Sequence, residues 1–342
     1  MKKQILSAVL ASTLATSALA ADITVISFGG ASKVVQTEAF YKPFEQATGN
    51  KVVAGEYNGE MGLLQAMVST GNVTWDVVQV EGPELLRGCE TGMFETLEGL
   101  DLNAGDFLPG ALSDCGAGLL VWSMAIAYNG DNVARAPQGW SDFWDVQTFP
   151  GKRGLRKGAK YTLEFALMAD GVRPSQVYSL LATEEGVQRA FKKLDELKDS
   201  IQWWESGAQP MQFLASKDVI MSTVFNGRVF AAQEEGANMA VVWPGSIYSI
   251  DSWAIPKGSK SVEAAKAFIA YSLQAEPQKL HTEKLGYGST NKRVSELVGE
   301  DLLARLNTAP KNLEGALVLN DEFWVEYGED LEERFNAWVA RR

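Results

Sequence analysis

Asp251 is a lone carboxylate in an apolar and aromatic stretch, Trp243 to Pro256. Pro244 and Pro256 mark turn-like ends, because proline fixes φ and donates no N–H. Between them the chain reads as extended. By period two, Ser249, Asp251 and Trp253 share one face, and Tyr248, Ile250 and Ser252 the other. Burying a carboxylate in such company is costly unless a cation pairs with it. Asp251 is therefore expected where two lobes meet, holding the amine of a small ligand. The alternative is a hydrogen-bonded aspartate at a strand end.

Other chemistries lack parts. A Ser-His-Asp triad would have to use His281, the only histidine, which lies in a charged helical stretch without a motif. Glu234 and Glu235 are adjacent and would point apart on a helix, so they are no glycosidase pair. Gly29-Gly30 is not followed by a phosphate-loop lysine. One histidine and two cysteines make poor zinc ligands. No enzyme activity, cofactor or metal is expected.

Met1 to Ala20 reads as a secretory signal. Lys2 and Lys3 precede an apolar-to-small run, and Ala18-Leu19-Ala20 is a small-x-small cleavage site. Removing 20 of the 342 residues leaves 322, enough for two domains with cores of their own. No cysteine in the signal points to a lipid anchor, and no later run approaches the roughly 18 apolar residues of a membrane span. The net charge is −12, or −14 without Lys2 and Lys3. That disfavours nucleic acid and anionic membranes as partners. In an exported chain, Cys89 and Cys115 are expected to form a disulfide, worth roughly 3–4 kcal/mol by loop entropy. Two unpaired buried thiols are the alternative.

The elements that must position Asp251 alternate. Ile23 to Phe28 is the first strand, and a helix follows to about Thr48, with Phe40, Phe44 and Ala47 as its apolar stripe and Gly49 as its stop. Strands are expected at Lys51–Tyr57, Trp75–Val80, Val121–Tyr128, Val219–Phe225 and Met239–Trp243. Helices are expected at about 61–68, after Pro83, and over 161–168, 184–197, 209–214, 262–273 and 321–338. Such alternation implies a parallel sheet covered on both faces. The first crossing between lobes is placed at Asn129-Gly130-Asp131. Lobe 1 is then 21–129 and 254–300, and lobe 2 is 130–253 and 301–342. Two rigid bodies joined in this way can close on a ligand.

The chain resembles the solute-binding proteins of bacterial ABC importers, in particular the spermidine/putrescine-binding periplasmic branch. The resemblance rests on Phe40–Gly49, Trp75-Asp76-Val77-Val78, Trp140-Ser141-Asp142-Phe143-Trp144 and Pro150-Gly151-Lys152-Arg153-Gly154. It continues through Phe225-Asn226-Gly227, Ile247–Pro256 and Gly286–Asn291, and covers nearly all of the mature chain. It implies the α/β, two-lobed periplasmic-binding-protein fold of type II. It also implies a ligand clamped between the lobes, a periplasmic location, an inner-membrane permease as partner, and a monomer.

For the site, the resemblance implies Asp251 as the carboxylate that grips an amine, Phe225 as an aromatic wall, Tyr287 as a ring lining the cleft, and Glu81 near a ligand-contacting position. Ser249 stands where an aromatic is common. Gly29 and Gly30 replace a first-lobe tryptophan and its neighbours, although Gly30 could open a backbone anion cradle. The largest departure is Arg156-Lys157-Gly158-Ala159-Lys160-Tyr161, where polyamine binders carry acids. Cations there, with Lys160 and Tyr161 facing the cleft, would suit a zwitterion such as γ-aminobutyrate; otherwise they are solvated surface charges. A polyamine-like amine is the main expectation, an amino-carboxylate or a ligand-presenting role in chemosensing the alternative. Trp203-Trp204 is expected to place one ring in the core and one at the lobe face. Trp122 and Trp253 are expected to pack, with Trp253 the better ligand candidate.

Overall fold

The computed structural model describes residues 22–341. The expected signal, 1–20, lies outside the described residues. Ten strands form one mixed sheet: β1 (Asp22–Phe28), β2 (Lys51–Tyr57), β3 (Val77–Val80), β4 (Ala117–Asn129), β5 (Arg153–Arg156), β6 (Ile201–Trp204), β7 (Met221–Phe225), β8 (Met239–Ala254), β9 (Gly288–Ser289) and β10 (Leu317–Val318). The order is β2-β1-β3-β8-β4-β7-β5-β6, with β10 added to β8 and β9 to β4. This is a mixed α/β fold, as the alternation of strands and helices predicts.

The β-branched, alternating β1 pairs in parallel with β2 from Asp22↔Lys51 to Phe28↔Tyr57, and with β3 at Val25↔Val77. The connecting helical run, 31–48, buries Phe40 and Phe44 and stops at Gly49 in the left-handed conformation. The run includes a π turn, Thr37–Tyr41, and Ala47, in the last turn before Gly49, is exposed. At the other end, β5 pairs in parallel with β6 and β7.

The sheet is not parallel throughout, as simple alternation would suggest. Its centre is the long antiparallel pair β4–β8, which belongs to both halves. Near one end β8 pairs with β3 through Ser252–Ala254; near its other end β4 pairs with β7 through Met124–Tyr128. The boundaries expected at 129/130 and 253/254 therefore fall at the ends of strands shared by both halves. We place the crossing inside these strands, about Leu120–Met124 opposite Ile247–Asp251.

Pro244 does not end the extended stretch. β8 runs through it with a bulge: Met124 faces Ile247, but Ile126 already faces Val242. Proline lacks the N–H for a regular ladder, and Gly245, at φ 76°, supplies the left-handed turn. Helix Asp321–Ala340, expected with lobe 2, touches both halves. Trp338 and Phe335 pack on Trp203, whereas Arg87 of helix Gly82–Glu90 bonds Glu329 at 2.7 Å and the Val325 carbonyl at 2.9 Å. Cys89 and Cys115 form a disulfide.

Candidate functional site

A cavity of about 370 Å³ opens beside the centre of the sheet, where β1, β3, β4, β7 and β8 approach one another. Asp251 lines it from β8, opposite Leu120 of β4. The carboxylate is 5 % exposed and meets no cation. Oδ2 accepts a hydrogen bond from Gln79 Nε2 at 2.6 Å. A buried relay holds that amide: Gln36 Nε2 donates to Gln79 Oε1, and Tyr41 Oη to Gln36 Oε1. Asp251 Oδ1 has no hydrogen-bond partner among the described residues. The Trp122 indole, also unpartnered, leans toward the same carboxylate. Burial, and then the charge of Glu81, push the Asp251 pKa well above the usual carboxylate range. Asp251 is thus a buried acid with one vacant acceptor.

Glu81 follows β3 and also lines the cavity, but it is satisfied. Lys160 Nζ lies 2.8 Å from its Oε2, Arg156 Nη1 3.4 Å from its Oε1, and the Tyr161 hydroxyl donates to Oε2. Burial alone would raise the Glu81 pKa; the Lys160 and Arg156 charges outweigh it and hold it at about 2. The two remaining cavity acids sit in ion pairs, Glu56 with Lys33 and Glu205 with Lys157, each at 2.9 Å.

The cation without an acidic partner is Arg228, in the first turn of helix Asn226–Glu234. Among the described residues it forms no ion pair, and its Nε is buried without a hydrogen-bond partner. One bond, from Nη2 to the Gly29 carbonyl at 3.2 Å, ties it to the opposite half. The guanidinium passes between Gly30 and Gly207: a Cβ at Gly30 would lie 2.7 Å from Nη1, and at Gly207 2.8 Å from Nε. The helix start is locked by Asn226, which accepts from the Ser123 N–H and donates to the Gly286 carbonyl. Tyr287 senses the charges of both Asp251 and Arg228, and a Cβ at Gly227 would enter its ring.

Aromatic rings make up the apolar wall. Trp122 stands edge-on to Phe225 and Tyr161 at 5.3 and 5.7 Å. Phe28 stacks on Tyr57 at 5.3 Å, and both line the cavity, so the first half contributes rings despite Gly29 and Gly30. Trp204 lines it too, while Trp203 packs on Phe335. The preference for Trp253 over Trp122 is reversed. Trp253 is fully buried against Phe268 of helix Val262–Ser272, which covers that end of β8.

Of the residues singled out in the sequence, the structure brings Asp251, Glu81, Phe225, Tyr287 and Gly30 into one cavity. Tyr161 stands behind its wall, fully buried, at φ 74°. That left-handed backbone in a non-glycine residue turns its hydroxyl onto Glu81. Ser249 is buried but does not line the cavity. Lys160 lies behind Glu81, bonded also to Glu84 at 2.6 Å. Arg156 faces the cavity, and Lys157 faces solvent. The sequence reading missed Arg228 and Gln79. The arginine directly follows Phe225-Asn226-Gly227, one of the segments that carry the resemblance.

The family model for bacterial extracellular solute-binding proteins matches residues 39–309. The chain belongs to this family. It is 55 % identical, over 97 % of its length and 95 % of the relative's, to a gamma-aminobutyric acid-binding protein of Pseudomonas aeruginosa PAO1. It is 24 % identical to the spermidine/putrescine-binding periplasmic protein of Escherichia coli K12, over 76 % of each chain. A solved GABA receptor superposes with a TM-score of 0.82 at 32 % identity, covering 94 % of this chain and 98 % of that one. The solute-binding family expected from the sequence is thus found, with the polyamine binders as distant members. Among the described residues no helix is long and apolar enough to cross a membrane, and no group of three acids, histidines or cysteines could hold a metal ion.

Proposed function

We propose that this chain is the periplasmic ligand-capturing component of an ABC importer for a small ω-amino acid of the γ-aminobutyrate kind. The observation that carries this reading is the charge inventory of the cavity. The carboxylate without a cationic partner is Asp251, and the guanidinium without an acidic partner is Arg228. A zwitterion fills both vacancies, its ammonium on Asp251 Oδ1 and its carboxylate on Arg228, with its methylenes against Trp122, Phe225 and Tyr287. A diamine would leave Arg228 uncompensated and set a second ammonium beside Arg156 or Arg228. The 55 % identity to a γ-aminobutyrate binder supports the same reading over the polyamine one. The chain would work as a monomer that hands its ligand to an inner-membrane permease and does no chemistry on it.

Thermal shift and calorimetry with γ-aminobutyrate, putrescine, butylamine and butyrate test this. γ-Aminobutyrate should stabilise the protein, by about 2.7 kcal/mol at a hundred times Kd. The two singly charged analogues should bind at least roughly 30-fold more weakly, each lacking one charged contact. Tight putrescine binding without γ-aminobutyrate binding would return the site to the polyamines.

A further inference from the structure

Resting on the amino-acid reading above, we propose that Lys160, together with Arg156, is a specificity determinant: a built-in countercation that occupies a second acid subsite and so denies it to diamines. The cavity holds two buried carboxylates near its aromatic wall, Asp251 and Glu81, each 5 % exposed. Two buried acids in one aromatic-lined cavity are a template for a ligand with an ammonium at each end. Only one of the two is vacant.

The Lys160 side chain reaches Glu81 from behind the cavity wall. Its ammonium lies 2.8 Å from Glu81 Oε2 and 2.6 Å from Glu84 Oε1, at the distances a ligand ammonium would adopt. Arg156 covers the other oxygen from the cavity side, its guanidinium 5.2 Å from the Tyr161 ring centre and 6.0 Å from that of Phe225. Two cations thus balance two acids, Glu81 and Glu84. A second ligand ammonium would have to compete with charges tethered in place, which lose no translational freedom on pairing. It would also meet Arg156 as a like charge. Asp251 escapes this neutralisation and remains the amine site.

Lys160 does not line the cavity, so its effect on ligand is indirect and reads through Glu81. Removing the lysine charge leaves Glu81 and Glu84 sharing one cation, and the cavity gains a negative charge. Putrescine should then bind more tightly than it does to the wild type. Any general loss of closure would weaken all ligands alike and cancel in a ratio of affinities.

The test is calorimetry of wild type, Lys160→Met and Lys160→Met/Glu81→Gln with γ-aminobutyrate and with putrescine. Lys160→Met should raise the putrescine-to-γ-aminobutyrate affinity ratio on the order of 10- to 100-fold. Adding Glu81→Gln should return the ratio toward wild type. Arg156→Met, on the cavity side of Glu81, should shift the ratio the same way and serves if Lys160→Met does not fold. Lys160→Arg should keep the wild-type ratio. An unchanged ratio in a folded Lys160→Met or Arg156→Met protein overturns the proposal. Failure of the wild type to bind γ-aminobutyrate overturns instead the reading it rests on.

Discussion

At the scale of single residues, the site depends on a carboxylate that is uncomfortable alone. Burial and Glu81 disfavour the charge on Asp251, and Gln79 offsets only part of this. In the proposed reading a ligand ammonium would remove the difficulty, which would link binding to ionisation. Asp251 is protonated in the free protein over a pH range where the bound form is ionised. Binding of an ammonium should therefore release a proton, and affinity should rise with pH until the free-state pKa is passed. Calorimetry in buffers of different ionisation enthalpy, over a range of pH, measures that proton directly; no release at any pH would remove Asp251 from the amine contact. Asp251→Asn should weaken binding by roughly 2–4 kcal/mol, on the order of 30- to 1,000-fold in Kd. An affinity within a few-fold of wild type would contradict the assignment.

At the scale of elements, the site is built on strand and helix ends that converge on the long pair β4–β8. Asp251 was legible in the sequence, because a lone acid in an extended apolar run is anomalous wherever it falls. Phe225 and Tyr287 were legible through the resemblance. Arg228 was not, because its lack of a partner is a tertiary fact that no local pattern records. Both Trp122 and Trp253 pack, as expected; the preference for Trp253 as the ligand candidate failed because both lie buried on central strands, and only the tertiary position of the cavity, which Trp122 lines, separates them. The mixed sheet was misread as parallel because β4 and β8 pair across more than a hundred residues of alternating strands and helices, and local alternation does not record the direction of so distant a pairing.

Glu164, on helix Thr162–Ala169, shows how such elements respond to pH. Its carboxyl is fully buried and accepts from Trp324 Nε1 at 2.8 Å and from the Tyr178 hydroxyl at 3.2 Å. Burial outweighs these donors and raises its pKa to about 7. A folded-state pKa above the unfolded value means that the contribution to stability is complete below the unfolded pKa and is lost as pH rises through the folded one. Glu164→Gln should therefore gain on wild type between pH 5 and 8, by up to about 3 kcal/mol. Melting curves that stay parallel across that range would show that Glu164 is ionised throughout.

At the scale of the whole molecule, the two halves are tied at several points, some at the cavity and one remote from it. Arg228 bonds Gly29, the Glu81 cluster joins β3 to the 156–161 turn, and helix Asp321–Ala340 reaches Arg87. The Cys89–Cys115 bridge closes a loop of 26 residues' separation next to that seam. Replacing both cysteines by alanine should cost roughly 3–4 kcal/mol in chemical denaturation. Ligand affinity should stay near wild type, because neither cysteine lines the cavity.

A crystal structure of the γ-aminobutyrate complex is the most direct test of the pairing of one acid and one base across this cavity. The ammonium is predicted within hydrogen-bond distance of Asp251 Oδ1, with the carboxylate on the Arg228 guanidinium. A ligand bound the other way round, or one touching neither side chain, would contradict the account.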